Sequence, residues 1–338
     1  MSGRRTALII GATGGIGAEL ALNLGKRGWH VRALHRTAGS AARRFAALGL
    51  VDWIQGDAMN PADVAAAAAG TQLIVHAANP PGYRNWRGLA LPMLDSTIAA
   101  AEAVGARILF PGTIYNFGPD AFPILHETSA QNPHTRKGAI RVEMERRLEA
   151  AAARGVRTLI VRAGDFFGPR AGNSWFAQGL VKPGKPVRSV TYPGRPDVGH
   201  AWAYLPDLSE AMAQLVERED SLAAFEVFHF RGHSLVRGIE IAEAIRRVVG
   251  NPQLPIRALP WLAIRLLAPV VTTFREMLEM RYLWREPVTL DNGKLIATLG
   301  AEPHTPLDRA VAATLEGLGC LGGAPAARDG VSARAVSV

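Results

Sequence analysis

Three glycines spaced G-x-x-G-x-x-G stand near the start of this 338-residue chain, in Ile9-Ile10-Gly11-Ala12-Thr13-Gly14-Gly15-Ile16-Gly17. They follow a short apolar run, Thr6 to Ile10, and open a helix-forming stretch, Gly15 to Arg27, which Gly28 ends. In that setting each glycine has a task. Gly11 permits the sharp exit from the strand, Gly14 lets the backbone approach a pyrophosphate, and Gly17 lets the helix pack close to the sheet. The phosphates then rest on free N–H groups at the helix N-terminus, where the dipole favours negative charge. The pattern predicts a dinucleotide held by Gly11, Thr13, Gly14, Gly15, Ile16 and Gly17.

The second strand, His30 to His35, should end where such a cofactor presents its adenosine ribose. An Asp or Glu there holds free ribose hydroxyls; this chain reads Leu34-His35-Arg36-Thr37, with Arg43 and Arg44 on the next helix. An arginine suits a 2′-phosphate by charge-assisted, often bidentate contact. His35 and Arg36 therefore predict NADP(H), with NAD the alternative. Asp57, in Gly56-Asp57-Ala58 after the third strand, is placed to accept a hydrogen bond from the adenine amine.

The elements that must position these residues alternate along the chain. Strands are expected at Thr6–Ile10, His30–His35, Val51–Gln55, Leu73–Ala77, Arg107–Phe110, Arg157–Arg162 and Phe225–Phe230. Helices are expected at Gly15–Arg27, Ser40–Leu48, Pro61–Ala69, Arg87–Ala103, Lys137–Ala153 and Pro206–Arg218. Strands alternating with helices mean an α/β fold with a parallel sheet, here a doubly wound Rossmann fold, plus a smaller C-terminal substrate lobe. The expected division is a dinucleotide-binding domain over 1–169, completed by about 201–231, a lobe from 170–200 and 232–318, and a disordered tail over 321–338.

Five segments, in order over about residues 5–230, resemble the extended short-chain dehydrogenase/reductase family, also called the NAD-dependent epimerase/dehydratase family. The glycine turn is similar to the family's T-G-x-x-G-x-x-G, with Ile10 for the first threonine. Val75-His76-Ala77-Ala78 resembles a cofactor-lining V-x-H-x-A, which implies that His76, Ala77 and Ala78 line the cofactor. Phe110-Pro111-Gly112-Thr113-Ile114-Tyr115-Asn116-Phe117-Gly118 resembles the segment carrying the catalytic Ser/Thr, which falls on Thr113. Arg162 to Pro169 resembles R-P-x-x-x-Y-G-P, and His200 to Leu208 resembles F-x-x-V-x-D-x-A.

The family's Tyr-x-x-x-Lys pair has no counterpart, because no tyrosine stands four residues before a lysine. Aligning on Glu145 puts Arg141 at the lysine position and Lys137 at the tyrosine position. Spacing i, i+4 sets both on one helix face. Arg141 can bind the cofactor ribose, and its fixed charge should lower the Lys137 pKa, as would a dry site. A lysine tuned towards neutrality can act as general acid or base. Three readings stay open: Lys137 moves the proton, Tyr115 moves it, or the chain only binds cofactor.

Bulk properties bound the rest. The chain is 48% hydrophobic and 20% charged, with formal charge +9. Such a charge attracts anions, but no nucleic-acid-binding signature accompanies it, so no nucleic-acid partner is expected. The single cysteine, Cys320, excludes an internal disulfide and a cysteine zinc site, and His126, Glu127 and His134 match no ligand spacing, so no metal is expected. No secretory signal or membrane span is visible, and a cytoplasmic location is expected. Trp261 to Tyr282 has the apolar spacing of amphipathic helices, expected to pack in the core or a homodimer rather than on a membrane. The resemblance implies an NAD(P)-binding oxidoreductase or epimerase acting on a small carbonyl, hydroxyl, anionic or sugar-like substrate. Asn173, Trp175, Phe176, Lys182 and Lys185 fall where its lobe begins. The alternative is a non-catalytic NADP(H) sensor or interaction protein.

Overall fold

The structure is a computed structural model, which describes residues 4–49, 51–80 and 85–321. The chain opens as β1 (Thr6–Ile10), α1 (Gly15–Lys26), β2 (His30–His35), α2 (Ala38–Arg44), β3 (Val51–Gln55) and α3 (Pro61–Ala68). It continues as β4 (Leu73–His76), α4 (Trp86–Val104), β5 (Arg107–Thr113), β6 (Ile124–Leu125), α5 (Arg136–Ala152), β7 (Thr158–Ala163) and β8 (Asp165–Phe167). Then follow β9 (Val190–Tyr192), β10 (His200–Tyr204), α6 (Leu205–Glu217), β11 (Phe225–Phe230), β12 (His233–Leu235), α7 (Glu240–Val249) and β13 (Ile256–Ala258). The last are α8 (Trp261–Leu267), α9 (Thr272–Glu279), β14 (Thr289–Leu290), α10 (Gly293–Leu299) and α11 (Leu307–Gly317).

Seven strands form one parallel sheet in the order β11-β7-β5-β4-β1-β2-β3. The chain starts in the middle, runs outward to β3, then crosses to β4 on the other side of β1. The winding reverses there, which leaves a crevice beyond the carboxyl ends of β1 and β4. Strand β1 shows why it is central. Ala7 and Ile9 pack with α1 and α6 on one face, Leu8 and Ile10 with α3, α4 and α5 on the other, and none is more than 2% exposed. A strand buried on both faces must read as a continuous apolar run.

The expected strands and helices of this sheet are present, with instructive shifts. Strand β5 runs on to Thr113, because Gly112 and Thr113 pair with Arg162 and Ala163 of β7. Helix α2 starts two residues early, since Gln55 Oε1 accepts from the Ala38 N–H at 3.0 Å, and a 3₁₀ turn, Ala46–Leu48, finishes it. The six strands outside the main sheet after residue 163 and before residue 291, with β6, form three small sheets: β12-β10-β8, β13-β9 and β14-β6. Phe167, Phe176, Trp202, Ile241, Trp284 and Val311 belong to a third apolar cluster beside them. The segment Trp261 to Tyr282 is helical as expected but packs only in part. Ile264 and Ala268 are buried, whereas Leu262, Leu266 and Val270 face solvent. No described helix is long and apolar enough to cross a membrane. Past Leu321 the expected tail lies outside the described residues.

Candidate functional site

The glycine turn stands at the carboxyl end of β1, and its glycines differ in what surrounds them. Gly11 has φ +97°, and a Cβ there would lie 2.5 Å from the Ala77 carbonyl carbon. A Cβ on Gly17 would overlap the Gly11 carbonyl oxygen, and one on Gly15 would meet Leu205 Cδ1 at 2.7 Å. The fold itself therefore demands Gly11 and Gly17, whose close neighbours are backbone, whereas at Gly15 the nearest atom is the tip of the Leu205 side chain. Gly14 differs: its φ of −84° and ψ of 164° suit any residue, it is exposed, and its only close neighbour is Gly11 O at 3.3 Å. Nothing in the described protein needs a glycine there. A ligand pressed against the turn would. Helix α1 also has no side-chain cap, so its leading N–H groups are left to face a ligand.

The other predicted cofactor residues fall on the same rim with different fates. Thr13 is half-buried beside Gly14, while the Ile16 side chain is in the core, so only its backbone can face a ligand. Arg36 is exposed at the end of β2, and among the described residues its guanidinium makes no hydrogen bond or ion pair. The His35 ring turns back on its own loop, where Nδ1 accepts from the Thr37 N–H at 3.1 Å. Asp57 is half-buried beside Ala58. Asp57 Oδ1 accepts from the Met59 N–H at 3.0 Å, and its own N–H donates to Asp63.

The His76 ring packs inward at 2% exposure, stacked on Phe110. Its Nδ1 lies 2.7 Å from Thr97 Oγ1, whose hydroxyl already donates to Met93 O, so Nδ1 carries the proton. Burial, with the Arg141 charge, pushes the His76 pKa down to about 3 and keeps the ring neutral. Ala77 and Ala78, by contrast, present backbone to Gly11.

Helix α5 carries the predicted chemical pair. Thr135 caps it by accepting from the Gly138 N–H at 2.9 Å. Gly138 lets the helix abut the turn after β5, since a Cβ there would collide with the Tyr115 carbonyl oxygen. Arg141 reaches the carboxyl end of β5, with Nη1 donating to Pro111 O at 3.4 Å and the guanidinium over the Phe110 ring at 5.5 Å. Lys137 points elsewhere. It is 4% exposed, and its Nζ lies 3.0 Å from Glu276 Oε2 on α9 and donates to Glu276 O at 3.2 Å. Its pKa is lowered, as expected, but burial is the leading cause, opposed by Glu276 and Glu279 and helped by Arg136.

Thr113 and Tyr115 sit together. Thr113 Oγ1 accepts from the Tyr115 N–H at 3.3 Å, which leaves the threonine hydroxyl free to donate. Half-buried Tyr115 donates its hydroxyl to Asp165 Oδ1 at 3.0 Å. Asp165 Oδ2 lies 2.9 Å from His200 Nε2, and His200 Nδ1 donates to Leu283 O at 3.2 Å. Asp165 and His200 are 3% and 1% exposed, and His200 stacks on Trp284 at 3.9 Å. Behind the site, Arg162 Nη2 and Glu145 Oε2 form a buried ion pair at 2.6 Å that ties α5 to β7.

The structure thus brings Thr113, Tyr115 and Arg141 to the sheet's carboxyl edge with the glycine turn. Asp165, His200 and Glu276 were not foreseen. Asp165 is a charged residue at the end of an apolar strand, a visible signal, but its partners lie 35 and 50 residues away in sequence. Asn173, Lys182 and Lys185 are exposed, Phe176 is core, and Trp175 packs on Trp284. Among the described residues no cluster of His, Cys, Asp and Glu could hold a metal.

The sequence profile of the NAD dependent epimerase/dehydratase family matches residues 7–229. The chain belongs to that family, with its Rossmann fold. No curated protein sequence matches it. Solved structures similar to it include a UDP-galactose 4-epimerase, at 19% identity and TM-score 0.69 over 93% of this chain and 98% of that one. A UDP-glucose 4-epimerase from Bifidobacterium longum, in complex with NAD+ and UDP, aligns at 17% identity and TM-score 0.71 over 92% and 97%. A UDP-glucuronic acid 4-epimerase from Bacillus cereus, with UDP-glucuronic acid and NAD, aligns at 14% and 0.72 over 93% and 98%.

Proposed function

We propose that this chain is an NADP(H)-dependent oxidoreductase or epimerase-type enzyme acting on a hydroxyl or carbonyl carbon of a small sugar-like or anionic substrate. The observation that carries the reading is the convergence of Thr113, Tyr115 and Arg141 at the sheet edge beside an open Gly14. The bound nicotinamide would supply hydride chemistry. Arg36, exposed and unpaired, is the group that favours a 2′-phosphate, although the similar solved structures are described with NAD. Arg141 holds the cofactor ribose, and the lobe of 170–200 and 232–318 selects the substrate.

Tyr115 moves the proton in this reading. In the oxidative direction the substrate hydroxyl gives its proton to the Tyr115 oxygen as the tyrosine passes its own to Asp165, so no free tyrosinate forms. Thr113 donates to the same substrate oxygen. Lys137, closed against Glu276, ties α5 to α9 instead. The test is a screen of carbonyl compounds and sugar nucleotides with NADPH, repeated with Tyr115→Phe and Lys137→Met. Loss of turnover in Tyr115→Phe alone supports the assignment. Loss in Lys137→Met alone returns the proton to the lysine.

The second reading, a non-catalytic NADP(H) sensor, is favoured by the same closed Lys137–Glu276 pair, which occupies the amine at the family's tyrosine position. Tight NADPH binding with no oxidation across the whole screen would select it.

A further inference from the structure

Helix α8 and the turn after it are apolar on the outside as well as the inside. Ile264 and Ala268 fill the core, yet Leu262, Leu266 and Val270, spaced i, i+4, i+8, are 72%, 71% and 81% exposed. Leu267 beside them is 47% exposed. The other large exposed apolar residues, Met59, Ile124, Val236 and Ile296, stand singly along the chain. A stripe of this kind marks a contact surface.

The charges around it choose the partner. Arg265 lies on α8, Arg275 on the packed helix α9, and Arg281 and Arg285 just beyond. Among the described residues none of these four guanidiniums makes an ion pair or hydrogen bond. The hairpin's carboxylates, Glu276 and Glu279, are turned to Arg136 and Lys137 instead. The Arg281 guanidinium lies over the Trp261 ring, 5.0 Å from its centroid, and burial, then Arg285 and Arg265, push its pKa down. An apolar stripe ringed by uncompensated cations does not suit a second copy of itself, because two-fold pairing would set arginines against arginines. It does suit an interface of acyl chains beneath anionic headgroups, where leucines enter the acyl boundary and arginines hold phosphates.

We infer that the α8–α9 hairpin is a docking surface for an anionic lipid bilayer, on which the protein lies without spanning it. The net charge of +9 draws the whole chain towards such a surface. This inference stands apart from the catalytic reading, since none of the stripe residues touches Thr113, Tyr115 or Gly14.

The full chain is sedimented with vesicles of mixed phosphatidylglycerol and phosphatidylcholine, and with phosphatidylcholine alone. At least tenfold more protein is expected on the anionic vesicles, falling steeply with salt. Leu262→Ser/Leu266→Ser/Val270→Ser and, separately, Arg265→Glu/Arg275→Glu should each lose tenfold or more. Arg43→Glu/Arg44→Glu, an equal charge change on α2, should stay within twofold. Equal loss in the α2 variant would mean charge alone and overturns the inference. So does binding that survives the serine substitutions, absence of anionic-vesicle binding, or a dimer that those substitutions dissociate.

Discussion

Substituting the glycines of the turn one at a time separates what the fold needs from what a ligand needs. In Gly17→Ala the new methyl overlaps Gly11 O and lies 2.8 Å from Gly11 C and 3.1 Å from Ala12 Cα, all backbone with no side chain to swing aside. Helix α1 must shift off β1, an overpacking cost of about 1–3 kcal/mol. In Gly14→Ala the methyl meets only Gly11 O at 3.3 Å, in a conformation alanine adopts without strain. The poorer N-cap costs a few tenths of a kcal/mol to about 1. Reduced freedom of the unfolded chain returns about 0.4–1 kcal/mol. The net change in stability should be within about 1 kcal/mol of zero. Cofactor affinity should behave oppositely: the Gly14 methyl stands where the pyrophosphate must approach, and at least tenfold weaker NADPH binding is expected, about 1.4 kcal/mol. Urea unfolding and NADPH fluorescence titration on the same preparations read both. A Gly14→Ala protein that is fully stable and binds NADPH as tightly as the parent would mean that no pyrophosphate approaches Gly14.

Other outcomes follow from the same geometry. Glu145→Ala strands the Arg162 guanidinium, whose side chain is 3% exposed, and should cost about 3–5 kcal/mol in urea unfolding, with Glu145→Gln in between; an unchanged midpoint contradicts this. His76 and His229 are both pushed down to about 3 from 6.5, burial leading in each case. Both are neutral when folded and charged when unfolded below about 6.5. Their contribution to stability is therefore complete above that pH and is lost as pH falls from about 6.5 towards about 3, at up to about 1.4 kcal/mol per pH unit each. Unfolding at pH 7 and pH 5 checks it, and a flat profile counts against it. Tyr115→Phe should lower kcat by about 10²–10⁴-fold once a substrate is found, with little change in NADPH affinity. Asp165→Asn should lower kcat and shift its pH profile, whereas a purely structural aspartate would change neither at constant stability.

The sheet was legible because its signals are local. Parallel strands such as Leu73–His76 must be apolar runs, and Pro61, Gly28 and the glycine turn punctuate them. Arg36 and Thr113 were legible for the same reason, as side chains at strand ends. The relay was not. Tyr115, Asp165 and His200 meet only because the end of β5 and the starts of β8 and β10 come together, and no spacing encodes that. The Lys137–Glu276 pair was not legible for a similar reason. Helix periodicity links Lys137 to Arg141 four residues on, but its partner Glu276 comes from 139 residues away, on α9. The short strands β8, β9, β12, β13 and β14 are two or three residues long, below what alternation can reveal.

The central claim is that the turn at Gly11–Gly17 holds a dinucleotide whose 2′-phosphate meets Arg36. Titrating NADPH and NADH into the parent protein and Arg36→Asp tests it most directly. NADPH should bind the parent tighter than NADH by tenfold or more, and Arg36→Asp should lose or reverse that preference with NADH little affected. Equal affinities in the parent, or equal loss of both cofactors in Arg36→Asp, would contradict it.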